Sequence, residues 1–157
     1  MPASDSGLIL LQGNEVYAGK QFLLGTLHHS ESEIIAFAKY MDPLPLHTDP
    51  EAAKKSMFGG IIASGAMLYI DAHRRWFVPQ FGNSIICGLG IRNWNFTKPH
   101  FPETPYKSIL TAKALIPTPG KNSVQVEWYY EFFGEDGLVV QDLELPVLHR
   151  VDEGLAC

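Results

Sequence analysis

The run Asp42-Pro43-Leu44-Pro45-Leu46-His47-Thr48-Asp49-Pro50 is followed shortly by the run Phe58-Gly59-Gly60-Ile61-Ile62-Ala63-Ser64-Gly65. The first run places a carboxylate and an imidazole five residues apart on a segment that prolines stiffen. The second run leads from a glycine pair into an apolar helix. Together they can hold an acid/base pair next to the exposed backbone amides at the start of a helix.

A helix is predicted before the carboxylate. The sequence Ser30-Glu31-Ser32-Glu33 matches a capping box, in which the serine oxygen and the glutamate side chain each accept a hydrogen bond from a free backbone amide. Apolar residues then recur at helical spacing: Ile34, Phe37, Ala38 and Met41. Because Pro43 disfavours helical dihedrals at the preceding residue, we expect the helix to end at Asp42 and to release this side chain into a loop.

Two further helices are predicted. A short one begins at Thr48 or Asp49, with Pro50 in its first turn and Asp49 as its cap, and it ends at Gly59-Gly60. The segment from Ser64 to about Val78 carries apolar residues on more than one face, which indicates a helix enclosed over most of its circumference. We expect this helix at the centre of the fold.

Most of the remaining chain has the pattern of antiparallel strands separated by Gly, Pro, Asn and Asp turns. The predicted strands are Val16 to His29, Ser84 to Phe96, Tyr106 to Ile116, Ser123 to Phe133 and Leu138 to Val151. In the first strand, Phe22, Leu24 and Thr26 are expected to share one face. Helices early and strands late predict an α+β domain, and the simplest packing is a curved antiparallel sheet wrapped around the apolar helix.

Length and composition limit the possible functions. With 157 residues, of which 46% are hydrophobic, the whole chain 1–157 is expected to form one domain with one core. The net charge of -5 argues against a general nucleic-acid binder, because affinity for phosphate backbones comes from Lys and Arg. The two cysteines give no disulfide framework, and the first residues have no targeting pattern, so a cytoplasmic setting is expected. The apolar tract Gly59 to Ile70 is too short to span a bilayer.

The pattern Asp42-x-x-Pro45-x-His47, followed by Phe58-Gly59-Gly60-Ile61-Ile62-Ala63-Ser64-Gly65, resembles the MaoC-like dehydratase family, which includes the (R)-specific enoyl-CoA hydratases. This resemblance implies a hot-dog fold, and it implies that the chain acts on an acyl-CoA thioester with no metal and no cofactor of its own. It implies catalytic roles for Asp42 and His47, which would move protons during addition of water to a 2-enoyl thioester. It also implies that the Gly65 amide binds the thioester oxygen, with Ser64 as a helix cap that can contact substrate, and that the protein forms a homodimer or an assembly of dimers.

The sequence departs from the family pattern at three places. The family commonly has Asn where this chain has Leu44, His where it has Ser64, and Pro-Val followed by Gly-Asp near Pro99-His100-Phe101-Pro102-Glu103. Two other functions therefore stay open beside the hydratase. One is a hot-dog thioesterase, in which water attacks the carbonyl carbon, and the other is a module that binds acyl thioesters without turnover.

Several polar residues outside the motif are predicted to be structural. The pair His28-His29 lacks further ligands at zinc-site spacing, so it is interpreted as a solvated end of a strand. Asp71, His73 and Arg74 lie on the central helix, where they either approach the substrate or face solvent. The pair Lys54-Lys55 can meet the phosphates of coenzyme A, although a charged pair on an exposed helix needs no such role.

Overall fold

The computed structural model of the protein describes residues 8–10 and 14–151. Residues 1–7, where the sequence predicts no targeting segment, and Cys157 lie outside the described residues. The helices are α1 (Glu31–Met41), α2 (Pro45–Thr48), α3 (Pro50–Lys54), α4 (Ala66–Ala72) and α5 (Val78–Phe81), with a π-helical turn (His73–Phe77) between the last two and a 3-10 turn (Gly82–Ser84) after them. The strands are β1 (Leu8–Leu10), β2 (Asn14–Val16), β3 (Gln21–His28), β4 (Ile85–Gly88), β5 (Arg92–Phe96), β6 (Pro105–Pro117), β7 (Ser123–Phe133) and β8 (Val139–Arg150).

The main sheet is antiparallel, in the order β3-β6-β7-β8-β4, and β5 also pairs with β8. It curves around the helix that runs continuously through residues 66–81, which we call the central helix. Strands β1 and β2 form a separate two-stranded sheet. This arrangement confirms the predicted α+β class and the hot-dog fold.

The core lies between the sheet and the central helix. Alternate residues of β7 point inward, and Trp128, Tyr130 and Phe132 are fully buried. The rings of Phe77 and Phe81 pack against Trp128, with centroids 5.7 Å and 4.8 Å away. Truncating such an aromatic residue to alanine typically costs about 3–5 kcal/mol, so this cluster contributes much of the stability.

Several predicted elements differ in detail. The short helix expected to end at Gly59-Gly60 ends at Lys54. The strand expected over Ser84 to Phe96 is broken into β4 and β5, and both parts pair with β8. The face expected for Thr26 is wrong: a register shift between Leu23 and Gly25 changes the alternation, so Thr26 is exposed and Leu27 is fully buried. A bulge of this kind depends on the neighbouring strand and on the central helix. Trp76 of that helix lies so close to β3 that a Cβ at Gly25 would be 2.5 Å from the Trp76 ring.

The central helix begins and ends later than predicted, and it widens near its end. It reaches Phe81, and the amide of Val78 bonds to the carbonyl of His73 in π-helical fashion. Pro79 explains the widening, because its ring would clash with the carbonyl of Arg75 in a regular α-helix and it has no amide proton to donate. The capping box of α1 is present as predicted, with Ser30 and Glu33 bonded reciprocally.

A buried histidine makes the stability of this fold depend on pH. His149 is fully buried, its Nε2 accepts from the indole of Trp128 at 2.9 Å, and its Nδ1 lies 2.8 Å from the Ser84 hydroxyl, which itself donates to Phe81. Burial lowers the pKa of His149 from 6.5 to about 4. Between these two pH values His149 therefore binds a proton in the unfolded chain but not in the folded chain.

We expect the free energy of unfolding to fall as the pH drops from 6.5 to about 4, with a contribution from His149 that is on the order of 3 kcal/mol at most. Urea unfolding followed by circular dichroism at several pH values measures this fall. The variant His149→Gln should be less stable at neutral pH but should lose less stability on acidification. An equal acid-induced loss in both proteins would contradict the assignment.

Candidate active site

The loop around Asp42 forms because the α1 helix stops where the sequence predicts. The amide of Asp42 still bonds to the carbonyl of Ala38 at 2.8 Å, but the residue itself has left helical geometry, and Pro43 follows. The Asp42 side chain is 38% exposed and lines a cavity of about 460 Å³. The carboxylate is therefore held by a helix end and remains accessible from the cavity.

His47 lies on the short helix α2 with its side chain almost fully buried. Its Nδ1 lies 2.7 Å from the carbonyl oxygen of Ile62, and because a carbonyl can only accept, Nδ1 must carry the proton. Its other ring nitrogen, Nε2, lies 3.6 Å from Oδ2 of Asp42. The structure thus brings the two predicted catalytic residues together at the cavity.

Ser64 braces the carboxylate. Its buried hydroxyl donates to Oδ2 of Asp42 at 2.8 Å, and its oxygen lies 3.4 Å from the amide of Ala66 at the start of α4. Leu44, which stands where the family has Asn, does not leave the loop loose: its carbonyl accepts from the amide of His47 at 2.9 Å and from the hydroxyl of Thr48 at 3.0 Å. Backbone bonds and Ser64 hold the loop together.

Gly65 lies immediately before α4 and lines the same cavity. Its carbonyl accepts a hydrogen bond of 2.6 Å from the side-chain amide of Gln141 on β8. A Cβ at Gly65 would lie 2.6 Å from the ring of Phe96, so only glycine fits under this ring without a shift. Its amide belongs to the first turn of the helix and has no acceptor within that helix.

The cavity wall is mostly apolar and suits a hydrocarbon chain. Apolar side chains from the loops, the central helix and the sheet surround the polar residues: Leu44, Phe58, Ile62, Leu68, Phe96 and Val140. Lys98 also lines the cavity and pairs with Asp136 at 3.2 Å. Lys54 and Lys55 are exposed, and Lys54 lies 3.9 Å from Glu51.

The structure corrects the interpretation of His29 as a solvated strand end. His29 is only 2% exposed, and it lies between Asp71, 2.7 Å from its Nε2, and His100, 3.2 Å from its Nδ1. Of the two interpretations of Asp71, exposure to solvent is wrong, since the residue is buried and pairs with Arg74 and Arg75. The only sequence signal for this cluster is the spacing of Asp71 to the two arginines along one helix.

Charges determine the state of this buried cluster. Burial alone would raise the pKa of Asp71, but the hydrogen bonds from His29 and Arg74 and the charge of Arg75 together lower it. His100 lines the cavity, and burial together with the neighbouring His29 lowers its pKa to about 3, although Asp71 opposes this effect. Asp71 is therefore ionised and His100 neutral at physiological pH.

Within residues 8–10 and 14–151, no three His, Cys, Asp or Glu side chains are grouped as metal ligands would be. The helices of this same part of the chain are all too short or too polar to cross a bilayer.

Comparisons with known proteins agree with the motif. A family model described as the MaoC-like domain matches residues 15–130. The Bacillus subtilis (strain 168) protein YdeM, which is itself uncharacterised, is 32% identical over 114 residues, or 72% of this chain and 79% of YdeM. The MaoC-like dehydratase from Rhodospirillum rubrum superimposes with a TM-score of 0.77 at 27% identity, over 87% of this chain and 94% of that one. An (R)-hydratase from A. caviae involved in PHA biosynthesis shares the fold, with a TM-score of 0.67 at 23% identity over 86% of this chain and 97% of that one.

The bond from Ser64 to Asp42 can be tested by its contribution to stability. We expect Ser64→Ala to lower the free energy of unfolding by about 1 kcal/mol, since the bond is charged but partly exposed to water. In an Asp42→Ala background the same change should cost much less. Urea unfolding of the two single variants and the double variant measures the coupling, and additive effects would show that the two side chains do not interact.

Proposed function

The chain belongs to the MaoC-like dehydratase family, and we propose that it is a hydro-lyase that adds water reversibly to a 2-enoyl-CoA to give an (R)-3-hydroxyacyl-CoA. The observation that supports this most directly is the pair Asp42 and His47, whose Oδ2 and Nε2 atoms lie 3.6 Å apart at the cavity that Gly65 also lines. This combination offers a base for water next to a possible donor for a thioester oxygen.

We propose that the neutral form of the His47 ring binds the reacting water. In that form Nε2 of His47 and the carboxylate of Asp42 are both acceptors, so a water bound to both can donate one hydrogen to each. Such a water has its oxygen lone pair directed away from both groups. We propose that this lone pair attacks the β-carbon of the enoyl group.

Asp42 and His47 can account for every proton that the reaction moves, and the electron pair that shifts stays within the substrate. As the new C–O bond forms at the β-carbon, one of the two side chains takes a proton from water, and the electron pair of the double bond moves to the thioester, which becomes an enolate. The amide of Gly65 and the positive end of the central helix stabilise this negative oxygen. The proton is then delivered to the α-carbon, the thioester is restored, and neither metal nor cofactor is needed.

The substrate supplies coenzyme A, and the apolar cavity receives the acyl chain. Coenzyme A is thus part of the substrate and not a bound cofactor. We place the protein in a reducing compartment such as the cytoplasm, because Cys87 is a free and exposed thiol. Neither nucleic acid nor membrane is expected among its partners.

Variants of the acid/base pair test the proposal. Asp42→Asn and His47→Ala should each lower the rate of hydration roughly 10²- to 10⁴-fold, since each removes a group that moves protons. The double variant should be little slower than either single one, because the two side chains act together. Asp49→Asn is the matched control: Asp49 lies on the same loop but caps α3, and asparagine is an equally good cap.

The assay should follow the conjugated double bond and the free thiol separately. A hydratase consumes the double bond of an enoyl-CoA and leaves a saturated acyl-CoA intact. Release of thiol from a saturated acyl-CoA, abolished by Asp42→Asn, would establish the thioesterase instead. Tight binding of both esters without any turnover would establish the non-catalytic module.

We also propose that the protein is a homodimer that pairs through the β4–β5 edge of the sheet. In a single chain this edge exposes apolar side chains to water, and a second chain paired to it would bury them. Between 42% and 60% of each is exposed: Ile86, Leu89, Ile91 and Phe96. Both strands pair only with β8 among the described strands, so their outer edges are available to another chain.

Sedimentation at micromolar concentration should therefore show a dimer, and Leu89→Glu combined with Ile91→Glu should shift it towards monomer. The control is Leu23→Glu on β3, at the opposite edge of the sheet, where a leucine that is 67% exposed should tolerate the charge. A monomeric parent protein would refute the proposed dimer. Dissociation by Leu23→Glu alone would place the interface on the other edge.

A further inference from the structure

Gln141 is a buried polar residue of the sheet that faces the start of the central helix. It is 3% exposed, lies on β8 and lines the cavity of the candidate active site. Phe132 on β7 and Phe96 on β5 lie directly opposite it in the two strand pairings. Opposed residues of antiparallel strands point to the same face of a sheet, so Gln141 lies between two phenylalanines on the inner face.

An amide side chain in this apolar row needs a hydrogen-bond partner. Without one its burial would cost free energy, and an apolar residue of the same length would pack there without that cost. The partner is the carbonyl of Gly65, which accepts from Nε2 of Gln141 at 2.6 Å. Because a carbonyl can only accept, this bond also identifies the nitrogen of the Gln141 amide. The presence of a glutamine here is therefore explained by Gly65 and not by packing within the sheet.

Phe96 contacts the same glycine from the neighbouring strand. A Cβ at Gly65 would lie 2.6 Å from the Phe96 ring, so the ring packs directly against the Cα atom. Gln141 and Phe96 are thus two opposed residues of one strand pair that contact a single residue at the helix start. One holds it by its carbonyl, and the other by its Cα.

The two strands that carry this pair are bonded to each other next to it. The carbonyl of Val140 accepts from the amides of Thr97 and Lys98 at 2.9 Å and 3.1 Å. The hydroxyl of Thr97 donates to the carbonyl of Val139 at 2.8 Å. The sheet therefore fixes Gln141 and Phe96 before any ligand binds, and little needs to be organised on binding.

Gly65 needs this support because it has no side chain. Glycine has the freest dihedrals of any residue, so its amide N–H can change direction at little cost. The structure gives Gly65 helical dihedrals, with φ -56° and ψ -25°, although it lies before α4. Its Cα packs against Phe96, its carbonyl is bonded to Gln141, and the preceding Ser64 is bonded to Asp42. Rotation of the Gly65 backbone would break at least one of these contacts.

We infer that Gln141 is a positioning residue, which fixes the backbone of Gly65 so that its amide points at the thioester oxygen and stabilises the enolate. This inference rests on the proposed function, in which Gly65 is the donor to that oxygen. A donor that is already in place speeds the reaction, because it does not have to turn towards the charge as the charge develops. Displacing such a group by about 1 Å can cost on the order of 10²-fold in rate.

Two substitutions separate the hydrogen bond of Gln141 from its packing. Gln141→Met keeps the length of the side chain and suits the apolar row, but it cannot donate to Gly65. Gln141→Glu places a carboxylate against the Gly65 carbonyl when it is ionised, and it restores a donor when it is protonated. The matched control is Gln125→Met on the outer face of β7, where the Gln125 amide bonds to Glu127. Thermal unfolding reports whether each variant is folded.

The first measurement is the rate of hydration of 2-butenoyl-CoA. We expect Gln141→Met to lower kcat about 10- to 100-fold with little change in KM, because the Gly65 amide contributes most in the transition state. Gln125→Met should match the parent protein. The rate of Gln141→Glu relative to the parent at the same pH should rise as the pH falls, since the protonated side chain donates again, whereas this ratio should stay constant for Gln141→Met. A parental kcat in Gln141→Met, or a constant ratio for Gln141→Glu, would overturn the inference.

The second measurement follows the thioester carbonyl itself. A hydrogen bond lowers the stretching frequency of a carbonyl, and difference infrared spectra of 2-butenoyl-CoA labelled with carbon-13 at that position report this change. The probe is bound to Asp42→Asn protein, where turnover does not interfere, and Gln141→Met in this background should reverse part of the lowering. An unshifted band in Asp42→Asn, or a band that Gln141→Met leaves unchanged, refutes the role of Gln141. Failure of the hydro-lyase proposal is distinct, because the band would then still depend on Gln141 in a protein that hydrates no enoyl-CoA.

Discussion

The segment 61–64 is bonded to the three parts of the chain that bring Asp42, His47 and His100 to the cavity. On one side, its Ile62 carbonyl accepts from His47, and the Ile62 amide donates to the carbonyl of Leu46 at 3.3 Å, so α2 is bonded to it in both directions. On the other side, Ala63 donates to the carbonyl of His100. Its last residue, Ser64, reaches back to Asp42 and leads into the central helix. Because all four residues are buried, this segment cannot move without disturbing the core.

The parts of the site that the sequence predicts are those that local rules control. A capping box sets the start of α1 and Pro43 sets its end, so the release of Asp42 follows from residues within one short stretch. The place of His47 is likewise fixed by the proline-rich segment in which it lies. The central helix and four of the strands are recognisable for the same reason, since their apolar periodicity is a property of consecutive residues.

The parts that the sequence does not predict arise from contacts between distant segments. His29 and Asp71 are 42 residues apart, and His29 and His100 are 71 apart, so no local pattern shows that each buries the other. The bulge in β3 has the same origin, because it is set by the register of β6 and by Trp76 on the central helix. A single histidine next to a strand is usually solvated, and only the complete fold shows that His29 is enclosed.

The two carboxylates beside the central helix differ in how their charge is compensated. Asp71 receives hydrogen bonds or ion pairs from His29, Arg74 and Arg75, which together occupy most of its accepting capacity. Asp42 receives one hydroxyl hydrogen bond at 2.8 Å and has Nε2 of His47 at the longer distance of 3.6 Å, so several of its lone pairs remain available in the cavity. Compensation leaves Asp71 little capacity to bind anything beyond its three partners. Because Asp42 keeps free lone pairs at the cavity, it can still accept a hydrogen bond from a water or a ligand there.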